Sequence, residues 1–186
     1  RDFCLSRGLG DVYKRQILSK QKNSRMCMIC GLDNEYGVNA PFYNMEDGSV
    51  MTVFRYKEQH QSYPGRVHGG MITAMLDEMG LRSLWAKELS EETFGVTISL
   101  DTKYRKPVPY ETELIGRGVV VKNTSHFIIT DSYIMDKDGE ILANGRIKYI
   151  KMDTQKIQEG VEVHEEMPYL VEDGRTEIEG PFFDNL

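Results

Sequence analysis

At 186 residues, with 28% charged and 40% hydrophobic residues, the chain has room for one domain of about 125 to 150 residues plus tails. No apolar run approaches the roughly 18 residues of a membrane helix, no signal-peptide core opens the chain, and three cysteines are too few for a disulfide scaffold, so a cytoplasmic setting is expected. A net charge of −6 speaks against nucleic acid as a partner.

The chain opens on Arg1 rather than Met, as a fragment would. Residues 1–25 carry seven Lys/Arg against two Asp and show no period. Cys4 to Gln16 resembles translated adaptor sequence of the kind found in fragmentary gene predictions, which implies that residues up to about Gln16 are not native. The other reading is a basic N-terminal arm. Neither gives Cys4 a function.

Met26 to Gly31 forms a C-x-x-C-G turn. A metal reading needs a second ligand pair, and a redox reading needs a βαβ context. Neither is visible, so Cys27 and Cys30 are expected as small residues packed into the domain. Asp33 to Asn39, with Gly37, reads as a turn. Ala40 to Asn44 is short and aromatic, and Glu46-Asp47-Gly48 signals a hairpin. Ser49 to Lys57 alternates, with Val50, Thr52, Phe54 and Tyr56 on one side of a strand.

Glu58 to Val67 reads as a loop ending in the Pro64-Gly65 turn signal. Ile72, Met75, Leu76, Met79 and Trp85 then fall at helical spacing. They predict a helix from about Gly70 to Glu88, starting within Gly69 to Met71, with Trp85 in the core. The first N–H groups of a helix lack partners. Gly69 and Gly70 have no side chains, so another molecule can approach that backbone closely. Asp77 stands among Ala74, Leu81 and Leu84. A carboxylate on such a stripe has a partner or has work to do.

Combined, the two features suggest hydrolytic chemistry. Helix N-terminal amides can stabilise an oxyanion, and a carboxylate can activate water or attack directly. By helical rise Gly69 and Asp77 lie about 12 Å apart, so one helix cannot bring both to one atom. A second element, such as a second subunit, has to complete the site. The plainer reading, a tight turn and an interface carboxylate, stays open on spacing alone. Glu78 points about 100° away from Asp77 and reads as structural.

After Ser90-Glu91-Glu92 the period changes to two. Phe94 to Arg105 is a strand stopped by Lys106-Pro107-Val108-Pro109. Glu111 to Lys122, His126 to Asp136 and Glu140 to Lys151 follow, with turns at Asn123-Thr124-Ser125 and Lys137-Asp138-Gly139. A strand, a long helix and four strands imply an α+β fold, an antiparallel sheet wrapped around one central helix. Its edge strands are free to pair with a second copy. Residues 151–186 carry three Lys/Arg and ten Asp/Glu and lose period from Asp153. The expected division is a basic segment over 1–25, a domain over 26–151 and a partly docked acidic tail over 152–186. Tyr169-Leu170-Val171 and Pro181-Phe182-Phe183 are its apolar islands.

His68-Gly69-Gly70, Asp77 nine residues after that histidine, and the strand Gly95 to Pro109 with its Tyr-x-x-Pro-x-Pro end together resemble the hotdog-fold thioesterase superfamily. The particular likeness is to the phenylacetate-pathway branch of acyl-CoA thioesterases, over about Met26 to Lys151. The Cys27 to Gly31 turn is similar to one in some bacterial members. The resemblance implies the hotdog fold and a homodimer joined sheet edge to sheet edge, often doubled into a tetramer. It implies hydrolysis of an acyl-CoA thioester with no metal, no cofactor, no nucleic acid and no membrane.

Carried over by position, the resemblance implies that the Gly69 N–H polarises the thioester carbonyl. Asp77 of the opposing subunit is then base or nucleophile, the Thr97 hydroxyl helps position water, and His68, also counted as catalytic, shapes the loop and can touch the thioester. Gly70 lies against substrate. Some relatives place Asn or Gln six residues before the histidine, where this chain has Ser62, with Gln61 beside it as the other stand-in. Lys103, Arg105 and Lys106 are the most basic cluster of the body and suit the phosphates of CoA, or else a solvated strand end. Two other readings are a non-catalytic acyl-CoA-binding module and a hydratase or dehydratase in which His60 or His68 moves a proton. The sequence does not reveal the acyl group.

Overall fold

The computed structural model describes residues 13–88, 94–152 and 166–180. In chain order its elements are β1 (Tyr13–Lys20), β2 (Tyr43–Met45), β3 (Val50–Phe54), α1 (Gly69–Glu88), β4 (Phe94–Tyr104), β5 (Leu114–Asn123), β6 (Phe127–Met135), β7 (Ile141–Met152) and β8 (Glu177–Gly180). The strands form one sheet in the order β4-β7-β6-β5-β3-β2-β1-β8, and every adjacent pair is antiparallel. The glycines of the two expected hairpins, Gly48 and Gly139, take positive φ of 74° and 80°, a conformation that a side chain would oppose.

Helix α1 lies across the sheet and touches β2 through β7. Its Ile72, Met75, Leu76 and Met79 are buried with Phe54, Leu114, Ile134 and Ala143. At about 1.5–3 kcal/mol for each fully buried Leu, Ile or Met side chain, this seam holds the helix in place. Contact with β5 is close: a Cβ on Gly116 would stand 2.3 Å from the Met79 sulfur, and one on Gly118 would stand 2.5 Å from the Met79 carbonyl oxygen. Trp85 is buried as expected, and Cys30 is in the core with Cys27 packed at its margin. The α+β, helix-on-sheet arrangement is therefore present, and the helix and the four strands after it sit within three residues of their expected bounds.

Two strands lie outside the expected 26–151 domain. β1 inserts between β2 and β8, so residues assigned to a basic segment and to an acidic tail belong to the same sheet. The opposite charges of these termini meet there. Lys14 pairs with Glu177 and Glu179, both at 2.6 Å, and Lys20 pairs with Asp173 at 2.5 Å. Exposed pairs like these contribute little energy each, but they favour one register. The Ser49–Lys57 strand is shorter than expected, ending at Phe54. Cys4, Ser90 to Glu92 and Pro181 to Phe183 lie outside the described residues. No helix among the described residues is long and apolar enough to cross a membrane.

Candidate active site

Helix α1 starts where the loop before it has been tied down. The Val67 N–H donates to the Val108 carbonyl and the His68 N–H to the His60 carbonyl, both at 2.9 Å. His68 then caps the helix. Its carbonyl accepts from Met71 at 3.0 Å and Ile72 at 3.2 Å, and its Nδ1 accepts the Gly70 N–H at 2.9 Å. An accepting Nδ1 places the ring proton on Nε2. A Cβ on Gly70 would stand 3.0 Å from that Nδ1, so glycine leaves the ring its place. One donor of the first turn is left over. Among the described residues no acceptor takes the Gly69 N–H, which stands at the positive end of the helix.

The end of β4 forms the facing wall. The Tyr104 hydroxyl donates to the Gly69 carbonyl at 3.1 Å and meets Thr73 Oγ1 at 2.6 Å. Between helix start and strand end opens a cleft of about 430 Å³, with Val67, Ile72, Pro107 and Val108 as apolar lining and Arg66, Arg105 and Lys106 as cations. Arg105 is steadied by Asn144 at 2.7 Å, and Lys106 pairs with Glu140.

The expected basic cluster is thus divided. Lys103 lines a separate depression with Asp101, Asp131 and Arg146, and Arg105 borders both. Strand alternation separates Lys103 from its neighbour Tyr104. Ser62 lies in an exposed turn, its N–H bonded to the Arg66 carbonyl at 2.9 Å, and does not line the cleft. Gln61 is equally exposed. His60 is buried, its Nδ1 accepting the Lys57 N–H at 3.0 Å and its Nε2 bonded to the Tyr36 carbonyl at 2.7 Å. Both ring nitrogens hold the fold together.

Asp77 lies two turns along α1. Thr97 Oγ1 donates to its Oδ1 at 2.8 Å, and the Tyr149 hydroxyl donates to its main-chain carbonyl at 2.7 Å. Burial pushes the Asp77 carboxyl above the usual carboxylate range. The hydrogen bonds of Thr97 and Tyr149 act against that rise, and the charge of Glu78 adds to it. Its proton affinity is thereby moved toward that of a useful general base.

Thr97 is on β4, which ends the sheet among the described residues. Val96 and Ile98 beside it are 40% and 48% exposed. The structure brings Asp77 to Thr97, and Gly69 to His68, Gly70, Arg105 and Lys106. It leaves these two groups about two helical turns apart within one chain.

Sequence reasoning missed Arg66, Thr73, Tyr104 and Tyr149. Tyr104 stood inside the motif that ends β4. Tyr149 carries no local signal, because its role depends on a helix reached far earlier in the chain.

Residues 64–143 match a family model described as the thioesterase superfamily. The chain is 25% identical over 144 residues to acyl-coenzyme A thioesterase THEM4 of Rattus norvegicus, a match covering 77% of this chain and 59% of that protein. It therefore spans about three fifths of that relative's length. Among solved structures it is similar to a thioesterase superfamily protein, at 25% identity and a TM-score of 0.61 over 68% of this chain and 60% of that one. It is also similar in fold to a thioesterase protein of Streptococcus pneumoniae determined with coenzyme A, at 19% identity and a TM-score of 0.55 over 62% and 90% of the two chains.

Proposed function

We propose, for a chain whose hotdog domain belongs to the thioesterase superfamily, that it hydrolyses an acyl- or aryl-CoA thioester to the free acid and CoA. The observation that carries this reading is the unclaimed Gly69 N–H at the cleft. Two copies join along β4, and each active site takes Gly69 from one copy and Asp77 from the other. The thioester carbonyl accepts from the Gly69 N–H. Asp77 removes a proton from water as the water oxygen bonds to the carbonyl carbon, and Thr97 keeps the carboxylate aimed. The tetrahedral oxyanion stays on the Gly69 N–H. When the C–S bond breaks, the departing CoA sulfur takes the proton held by Asp77. Direct attack by Asp77, followed by hydrolysis of the anhydride, uses the same two groups.

The magnitudes suffice for an activated ester. One oxyanion donor supplies about 2.7–4 kcal/mol, and a placed general base supplies roughly 10²–10⁴-fold. His68 occupies the Gly70 N–H, which leaves the Gly69 N–H as the available donor. Arg66, Arg105 and Lys106 receive the phosphates of CoA. Lys103, in its separate depression, does not.

The test is thiol release from a series of acyl-CoA chain lengths and aryl-CoA esters, with Asp77→Asn as control. Turnover that falls at least a hundredfold in the variant is expected. Wild-type turnover in Asp77→Ala would remove Asp77 from the mechanism. Tight acyl-CoA binding without thiol release, or a 3-hydroxyacyl product from an enoyl-CoA, would replace the hydrolase reading altogether.

A further inference from the structure

Glu78 faces away from the cleft, toward the turn that carries the two cysteines. There the Gly31 N–H donates to the Cys27 carbonyl at 2.9 Å. That single helical turn sets Cys27 and Cys30, three residues apart, on one side. The two sulfurs and a Glu78 carboxylate oxygen all lie within 4.8 Å of one another. Glu78 is held by Arg82, whose Nε donates to its Oε1 at 2.7 Å. Arg82 is 1% exposed. It lies over the rings of Phe42 at 4.4 Å and Trp85 at 5.2 Å, and donates to Gln21 Oε1 at 3.2 Å and the Lys22 carbonyl at 3.0 Å.

We propose that Cys27, Cys30 and Glu78 form a binding site for one tetrahedral divalent ion of the zinc class, with a solvent molecule as fourth ligand. Two thiolates and a carboxylate oxygen match the preferences of zinc. Ligand bonds of about 2.3 Å to sulfur and 2.0–2.2 Å to oxygen put tetrahedral donors about 3.5–3.8 Å apart, so these need to close by only about 1 Å.

The charges also balance. Without metal, Glu78 and Arg82 neutralise each other. The ion arrives with charge two as Cys27 and Cys30 each give up one proton to solvent, so no net charge is added to a largely buried place. The surroundings suit a thiolate pair. The Ile29 N–H points at Cys27 Sγ at 3.3 Å, and the Ser24 hydroxyl stands 3.3 Å from Cys30 Sγ. Arg82 acts as the outer partner that fixes a ligating carboxylate. Cys27 is partly exposed and the Glu78 side chain is 22% exposed. Together they leave an entry path and the fourth position.

Sequence spacing supplied only two of the three ligands. The third comes from α1, brought there by the fold. The proposal does not depend on thioester hydrolysis, and its readout is separate from activity.

The experiment titrates cobalt(II), then zinc, into the full chain carrying Cys4→Ser, after chelation and in a non-thiol reductant. One equivalent of cobalt is expected to give a thiolate-to-cobalt charge-transfer band with intense four-coordinate visible bands, which zinc then removes. Glu78→Gln keeps an oxygen for Arg82, and is expected to weaken the site at least tenfold. Cys30→Ser is expected to abolish the charge-transfer band. The proposal fails if the starting chain gives no such band at one equivalent. It fails equally if Glu78→Gln binds as tightly as the parent, or if a Cys27–Cys30 disulfide persists in the reductant and the protein takes up no metal.

Discussion

Gly80→Ala tests whether the α1–β7 contact holds the region around Asp77 in place. A Cβ on Gly80 would lie 2.2 Å from the Tyr149 hydroxyl and 2.6 Å from Thr130 Oγ1, where ordinary contact begins at 3.4 Å. The hydroxyl must therefore move by more than 1 Å, away from a carbonyl of Asp77 that it now meets at 2.7 Å. Overpacking of this kind costs about 1–3 kcal/mol, and losing the hydrogen bond costs about 1 kcal/mol. Replacing a mid-helix glycine by alanine returns about 1 kcal/mol. The net expectation is a destabilisation of about 1–3 kcal/mol, read by urea unfolding. A fall of about tenfold in thioester turnover is also expected, because small displacements of reacting groups weigh heavily. In a Tyr149→Phe background the same change should cost less, since only the clash with Thr130 Oγ1 and the ring edge remains, a coupling that a double-mutant cycle isolates. A Gly80→Ala protein that gains stability, as an unhindered glycine replacement does, would refute the reasoning.

The raised proton affinity of Asp77 places the acid limb of kcat/KM above the usual carboxylate range. Thr97→Val, which removes a bond favouring the charged form, should move that limb further up in pH–rate profiles. The linkage carries a sign for stability. A folded-state pKa above the unfolded one means that stability is lost as pH rises through it. Asp77→Asn should therefore unfold at a higher temperature than wild type at pH 7, and the gap should close in acid. Arg105→Ala should raise KM for CoA esters several-fold in a salt-sensitive way, whereas Lys103→Ala should leave KM unchanged in steady-state kinetics. Ile98→Lys on the open edge of β4 should yield monomers by sedimentation and lose turnover together with them, while a fully active monomer would contradict a shared site.

Legibility in the sequence followed the range of the interactions. Helix α1 and strands β4 to β7 carry their own periods and their own turns, so Gly139 and the Pro107–Pro109 stop mark boundaries that need no distant partner. Residues 13–20 carry no usable period, because their place depends on β2 and β8, which lie far along the chain. The same holds within the site. Gly69 and Asp77 were readable as an unpartnered helix start and a carboxylate on a mostly apolar stripe. The company of Tyr149 was not, nor the turn of Glu78 toward the cysteines, since each depends on which strand or loop the helix meets. The basic cluster shows a third case. Lys103, Arg105 and Lys106 are neighbours along the chain, yet strand geometry sends Lys103 to another depression.

The split between amide and carboxylate is also what gives the edge of β4 its meaning. This strand runs from Phe94 to Tyr104 and, among the described residues, has a neighbour on one side only. Thr97, holding Asp77, sits before its middle, whereas Tyr104, bonded to Gly69, ends it. Two such edges paired antiparallel about residues 99–101 would set position 97 of one copy against positions 101–105 of the other, about 5 Å away across the seam. The carboxylate end of one half-site would then face the amide end of the next, twice over by symmetry. A register centred near Phe94 or near Tyr104 would instead bring like ends together, pairing carboxylate with carboxylate or amide with amide. On the proposed reading, hydrolysis therefore constrains the register of the dimer as well as its existence.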